Sequence, residues 1–219
     1  GVAWVPELGT RMGVLPRFGS ADEIRWFEVD TANVVHFFNA WEDGNRLEVY
    51  APVFDTMPGG LQFDAPEQTE EPHPYHWTID LDAGTARGEQ MDDRSGEFPR
   101  VNDDRATTRT RYLYNSLARD WAFEFNFNGV IKYDLETGRS STWEHAANET
   151  CGEHCFVPDP TGTAEDDGWL MTIVSDNDSR ESSLAIIDAR DVAAGPVARV
   201  NLPRRVPIGF HANWIAAGN

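Results

Sequence analysis

Short apolar runs rich in Val, Ile, Phe, Tyr and Trp recur along the chain, separated by clusters of Gly, Pro, Asp and Asn. A helical period is scarce, and runs of this length between turn formers read as β-strands. The pattern predicts strands at 24–29, 34–40, 46–51, 76–81, 121–127, 129–134, 141–143, 169–174, 183–188 and 198–202. Glu42-Asp43-Gly44-Asn45 and Leu135-Glu136-Thr137-Gly138 place glycine where a hairpin turn needs positive φ. Polar connections at 66–74, 88–111 and 158–168 are long enough to be functional or disordered loops.

A repeat runs through this pattern. Thr78-Ile79-Asp80-Leu81-Asp82-Ala83-Gly84 resembles Lys132-Tyr133-Asp134-Leu135-Glu136-Thr137-Gly138, and Ile186-Ile187-Asp188-Ala189-Arg190-Asp191 is a weaker copy. Asp80, Asp134 and Asp188 are evenly spaced, 54 residues apart, and Glu28-Val29-Asp30 is a candidate fourth copy. In each case a strand ends on Asp and a turn follows. Repeats of about 40–50 residues built from short strands predict an all-β fold of β-propeller blades. A chance run of common hairpin turns is the competing explanation.

Two of the apolar runs carry a histidine. Val34-Val35-His36-Phe37-Phe38-Asn39-Ala40-Trp41-Glu42 has its counterpart in Val206-Pro207-Ile208-Gly209-Phe210-His211-Ala212-Asn213-Trp214. In a propeller the innermost strands converge on the axis, where such an imidazole would point. Imidazole suits iron, copper, zinc or nickel. His36 and His211 are therefore candidate metal ligands, although a packed core histidine is the commoner role for one such residue.

Composition narrows the function classes. The 219 residues suffice for one substantial core. The net charge of −19 repels phosphate backbones, which argues against a nucleic-acid partner and against polybasic docking on anionic lipid. No run approaches the roughly 18 apolar residues of a membrane span. Gly1-Val2-Ala3-Trp4-Val5-Pro6 lacks the basic and apolar regions of a secretory signal and does not begin with Met, so a processed or truncated start is expected. Two cysteines, Cys151 and Cys155, make no disulfide framework and point to a reducing, cytoplasmic setting.

Of the remaining histidines, His73 and His76 read as surface residues and His145 as a blade-edge residue. His154 lies in Cys151-Gly152-Glu153-His154-Cys155, which looks like a zinc cluster but offers one ligand pair where a structural zinc site wants two. Glu97 and Glu153, each close to glycine and an aromatic residue, are candidates for the carboxylates that take the free N–H of a metal-bound imidazole. The chain has no GxSxG elbow, phosphate-binding GxxxxGK[ST] loop or GxGxxG fingerprint.

The run Arg25-Trp26-Phe27-Glu28 through His36–Glu42 resembles the carotenoid cleavage oxygenases, a family that includes lignostilbene dioxygenases and the retinal-pigment-epithelium isomerase. Gly96-Glu97-Phe98-Pro99-Arg100, Lys132-Tyr133-Asp134-Leu135, Gly152-Glu153-His154-Cys155-Phe156-Val157-Pro158 and Gly209-Phe210-His211-Ala212-Asn213-Trp214 match in the same order. The resemblance implies a seven-bladed β-propeller with Fe(2+) on its axis, held by four histidines. It makes His36 and His211 the third and fourth ligands, with Glu97 and Glu153 orienting them. It implies cleavage of a C=C bond in an apolar conjugated substrate, a carotenoid, apocarotenoid or stilbene, by O2 to give carbonyl products. It also leaves room for peripheral membrane contact.

One departure is large. The family's first two histidine ligands precede the stretch around His36, yet the 35 residues before it contain no histidine. Residues 1–219 are therefore expected to form the C-terminal portion of one propeller domain, with the N-terminal half as another chain or a missing segment. The competing expectation is a non-catalytic propeller fragment or binding module in which both histidines are simply packed. A metal-dependent propeller hydrolase is a third.

Overall fold

The alternating apolar runs fold into β-strands that pair with their sequence neighbours. The computed structural model describes residues 4–56, 71–118, 127–207 and 209–216. Among the described residues fifteen strands are formed: β1 (Thr10–Val14), β2 (Arg25–Val29), β3 (Asn39–Asp43), β4 (Arg46–Val53), β5 (His73–Asp80), β6 (Thr85–Gln90), β7 (Gly96–Arg100), β8 (Tyr112–Ala118), β9 (Phe127–Asp134), β10 (Arg139–Glu144), β11 (Glu149–Cys151), β12 (Cys155–Pro158), β13 (Gly168–Asp176), β14 (Ser182–Asp188) and β15 (Pro196–Asn201). All ladders between them are antiparallel. A two-stranded β1–β2 unit comes first, then the meander β3-β4-β5-β6. The meanders β7-β8-β9-β10 and β11/β12-β13-β14-β15 follow, joined by the single pair Cys151↔Phe127.

The units pack face to face, and β8 and β9 of the third unit are buried on both sides. Successive strand residues point to opposite faces. On β8 and β9, Leu113, Ile131 and Tyr133 pack with Phe38, Trp41 and Tyr50 of the second unit. Their neighbours Tyr114 and Val130 face the other way, onto Phe156, Leu170 and Ile187 of the fourth. Phe27 of the first unit packs with Val49, Trp77 and Ile79 of the second. A further cluster of Phe54, Phe98, Phe127, Cys151, Val174 and Ala185 gathers residues from the second, third and fourth units.

The repeat is structural. Asp80, Asp134 and Asp188 each end the third strand of their meander. The Asp80 Oδ1 accepts the N–H groups of Asp82 and Ala83, and the Asp134 Oδ1 those of Glu136 and Thr137. The Asp188 Oδ1 accepts that of Arg190. Asp30 differs: it follows β2 where the chain crosses to the next unit. Asp176 makes the same turn at the end of β13, accepting from Asp178 and Ser179, with Arg180 at φ 60° where the Asp80 and Asp134 copies place glycine.

The strand expected at 34–40 is corrected: only Asn39 and Ala40 belong to β3. Asn33 bridges Phe54 and Asn39 pairs with Tyr50, so six steps on this side face four on β4. The surplus residues leave the ladder as a bulge. The expected 88–111 connection is corrected too, since it holds the end of β6, all of β7 and a 3-10 turn at Asp103–Arg105. β7 and β8 were hidden because they are buried on both faces and lack alternation. Of the strand expected at 121–127 only Phe127, and of the 66–74 connection only residues 71–74, lie within the described residues.

The acidic 158–168 loop clamps the third meander. Glu165 accepts the backbone N–H groups of Arg111 and Tyr112, and Asp166 pairs at 2.6 Å with the buried Lys132, whose ammonium lies 4.0 Å from the Tyr112 ring centroid. The interface between meanders should dominate stability. Leu113→Ala, at a fully buried position, is expected to lower unfolding free energy by about 2–5 kcal/mol; chemical denaturation of the folded chain checks this.

Candidate metal centre

The bulge at residues 34–38 sets His36 outside the sheet. Its Nδ1 lies 2.9 Å from Oε2 of Glu97, 61 residues further on. Glu97 is on β7 and only 2% exposed. Such a carboxylate is costly to bury unless it is hydrogen-bonded. The same oxygen also accepts the N–H of Phe98. Phe98 itself adopts φ 56°, a left-handed conformation costing an aromatic residue on the order of 1–3 kcal/mol. The ladder to β8 shifts register here, between Glu97 and Arg100.

His211 comes from the other end of the chain. Oε2 of Glu153 accepts the N–H of Ala212 at 2.5 Å and lies 3.6 Å from His211 Nδ1, an ion-pair contact too long for a hydrogen bond. Arg100 joins the two segments: its Nε is 3.2 Å from Glu153 Oε1, and its guanidinium donates to the Ala212 carbonyl. Gly152 permits the approach, since a Cβ there would stand 3.3 Å from the Gly209 carbonyl oxygen.

The structure brings all four expected residues together. The His36 and His211 rings are 5.0 Å apart, nearly perpendicular, and the Phe98 ring lies 5.7 and 5.4 Å from them. The histidines are not packed core residues: their side chains are 30% and 61% exposed. Phe37, Phe210, Trp214 and Ile215 are exposed nearby in sequence. The hydrogen bond to Glu97 raises the His36 pKa above the ordinary imidazole value; burial opposes this, and the charges of Glu97 and Glu153 add to it. A neutral His36 carrying its proton on Nδ1 for Glu97 offers Nε2 as a donor. Two imidazoles, each with a buried carboxylate beside Nδ1, suit an imidazole-bound transition metal.

Arg100 and Phe98 were missed as site residues. Both lie in the Gly96–Arg100 match, yet their partners are distant in sequence, and nothing local signals them. His76 is corrected: it is half-buried, stacked on Tyr50 at 4.3 Å and 2.6 Å from Glu48 Oε2, in a cleft of about 400 Å³. His73 is half-buried at the start of β5. His145, expected at a blade edge, follows β10, the outer strand of its meander, and is buried there, where burial and then the Arg199 charge push its pKa down to about 4. Burial pushes His154 down to about 3.

The profile of the retinal pigment epithelial membrane protein family matches residues 1–216. The carotenoid cleavage oxygenase of Mycobacterium tuberculosis is 34% identical over 97% of this chain. The chain belongs to the carotenoid cleavage oxygenase family. Another family relative is the isoeugenol monooxygenase of Pseudomonas nitroreducens, 32% identical over 97% of the chain. The crystal structure of the cobalt-substituted Synechocystis apocarotenoid oxygenase matches 94% of the chain with a TM-score of 0.85 at 29% identity. This likeness identifies the units as blades of a β-propeller. The chain covers 43% of the length of the mycobacterial relative, 47% of the Pseudomonas relative and 44% of the Synechocystis structure.

Glu153→Ala removes the acceptor of the Ala212 N–H. With a hydrogen bond to a charged group contributing about 1.5–3 kcal/mol, hydrogen exchange at Ala212 is expected to speed up by roughly tenfold or more. Amide-resolved exchange of the folded chain reads this directly.

Proposed function

We propose that this chain is the C-terminal portion of a single β-propeller domain and supplies half the imidazoles of a non-haem iron(II) dioxygenase centre. The observation that carries the reading is the meeting of His36 and His211, 175 residues apart in sequence, with ring centroids 5.0 Å apart and a carboxylate behind each. The other two ligands belong, in this reading, to an N-terminal half in another chain or an upstream segment. The reaction is cleavage of a C=C bond in an apolar conjugated molecule (a carotenoid, apocarotenoid or stilbene) to two carbonyl products. Relatives named as carotenoid, apocarotenoid and isoeugenol oxygenases support that substrate class.

Iron(II) bound by these imidazoles would supply activation of O2. The protein's residues do the rest. Glu97 takes the Nδ1 proton of His36 and holds the ring's direction, and Glu153 tethers the His211 segment through the Ala212 N–H. Phe98 packs on both imidazoles and shields that side from water. Exposed Phe37 and Phe210 flank the two ligands with the apolar surface that a polyene or stilbene needs. The free, buried thiols Cys151 and Cys155 support a cytoplasmic setting as part of the proposal. The exposure of both histidines weighs against a binding module in which they are merely packed.

In the assembly containing the N-terminal half, His36→Ala and His211→Ala are each expected to lose bound iron and oxygen-dependent formation of carbonyl products. Metal analysis beside product analysis checks this; full iron content and full turnover in either variant would refute the ligand assignment. Turnover that survives without oxygen would instead favour hydrolysis. Glu97→Gln keeps the shape but weakens the hold on His36, so iron affinity should fall by about 10–100-fold, read by competition with a chelator.

A further inference from the structure

A second cluster of soft and borderline ligands lies at the junction of the third and fourth blades. His145 follows β10, Cys151 ends β11, and His154 lies in the link from β11 to β12. One ligand atom from each falls within 4.8 Å of the others, and the residues are only 3%, 1% and 1% exposed. The sequence motif is thus split. Glu153 turns to the His211 segment, Cys155 lies 3.9 Å from the Arg100 guanidinium, and Cys151 and His154 join His145 from outside the motif.

A second observation points to a ligand. His154 Nδ1 is 2.9 Å from Ser116 Oγ, and Ser116 Oγ is within 3.3 Å of the Gly152 carbonyl oxygen. With the hydroxyl proton turned to the carbonyl, Oγ accepts the Nδ1–H, and we take this tautomer. This leaves the His154 Nε2 lone pair buried without a hydrogen-bond partner among the described residues. An acceptor buried without a partner is unfavourable. Donors at about 2.0–2.3 Å from one ion stand roughly 3.5–3.8 Å apart in a trigonal arrangement, so the cluster needs to contract by about an ångström at most.

We propose that His145, Cys151 and His154 form a buried metal site for Cu(I), distinct from the His36–His211 centre. A structural zinc site wants four ligands, and this cluster offers three. Thiolate selects soft ions, and Cu(I) accepts three ligands. Charge decides further: a monovalent ion with one thiolate leaves a neutral buried unit, whereas Zn(II) would leave a positive one beside Arg199, whose guanidinium is 3.2 Å from His145 Nδ1. On binding, the Cys151 S–H proton passes to solvent as the S–Cu bond forms, and copper keeps its oxidation state. In the metal-free arrangement Arg199 donates to His145 Nδ1, so ligation through Nε2 requires the imidazole proton to move to Nδ1 and the guanidinium to turn aside, leaving Glu149 Oε2, at 3.9 Å, as the acceptor for Nδ1–H. The ion would pin the outer strand of one blade to the inner strand of the next.

The test titrates the reduced 219-residue chain, without oxygen, with Cu(I) held by a chromophoric chelator. Wild type, Cys155→Ser and the double variant His36→Ala/His211→Ala are each expected to take one equivalent, with a near-ultraviolet thiolate-to-copper band. Cys151→Ser should lose both the equivalent and the band. Ser116→Ala retains all three ligands and should weaken Cu(I) binding by about 10–100-fold, which keeps the test decisive if Cys151→Ser fails to fold. No uptake by wild type, equal uptake by Cys151→Ser, loss of uptake in Cys155→Ser, or binding of Zn(II) but not Cu(I) would each overturn the proposal.

Discussion

Burial of two carboxylates governs the arrangement around the propeller axis. Glu97 and Glu153 are 2% and 7% exposed, and a carboxylate so placed is tolerated only with donors around it. No single strand could supply them. Glu97 draws on the His36 ring and on the N–H of Phe98, where the backbone turns left-handed. Glu153 draws on Arg100 and Ala212. Satisfying both carboxylates therefore ties the bulge before β3, the break in β7 and the segment after β15 to one point. The imidazoles meet because their supports are anchored.

The blades give that point its rigidity. The side chains of β8 and β9 are divided between two interfaces, so a shift of either neighbouring blade would disturb the strands that carry or flank Glu97. Part of the negative charge is structural. Glu165 and Asp166 reach from the fourth blade to two backbone N–H groups and a buried ammonium on the third. Charge placed this way fixes the angle between blades.

Legibility in the sequence followed the locality of the physics. Hairpins whose Asp and Gly lie within a few residues, as at Asp80–Gly84 and Asp134–Gly138, were readable, and their spacing revealed the blades. Asp176 escaped notice because Arg180 occupies the left-handed position usually marked by glycine. β7 and β8 escaped because burial on both faces removes alternation. The four axial residues were legible only through ordered matches to a family. His36 and Glu97 are joined by a register change of two residues between Asn33 and Asn39, and a register is invisible in composition.

In the proposed reading, the exposed residues near His36 and His211 in sequence bear on what an N-terminal half would do. Phe37, Phe210, Trp214 and Ile215, close in sequence to His36 and His211, expose apolar surface, while the relatives extend to more than twice this length. Apolar surface clustered at a site normally marks a surface meant for a partner or a ligand. In the proposed assembly both demands fall on the same residues: blades from the other half close the axis, and the remaining apolar wall faces the substrate. Closing the axis would also strengthen the site electrostatically, since excluding water lowers the local dielectric around the Glu97–His36 and Glu153–His211 pairs. The carboxylates would then hold their imidazoles more firmly than in the half-open arrangement, so docking the two halves and organising the metal ligands would be one event.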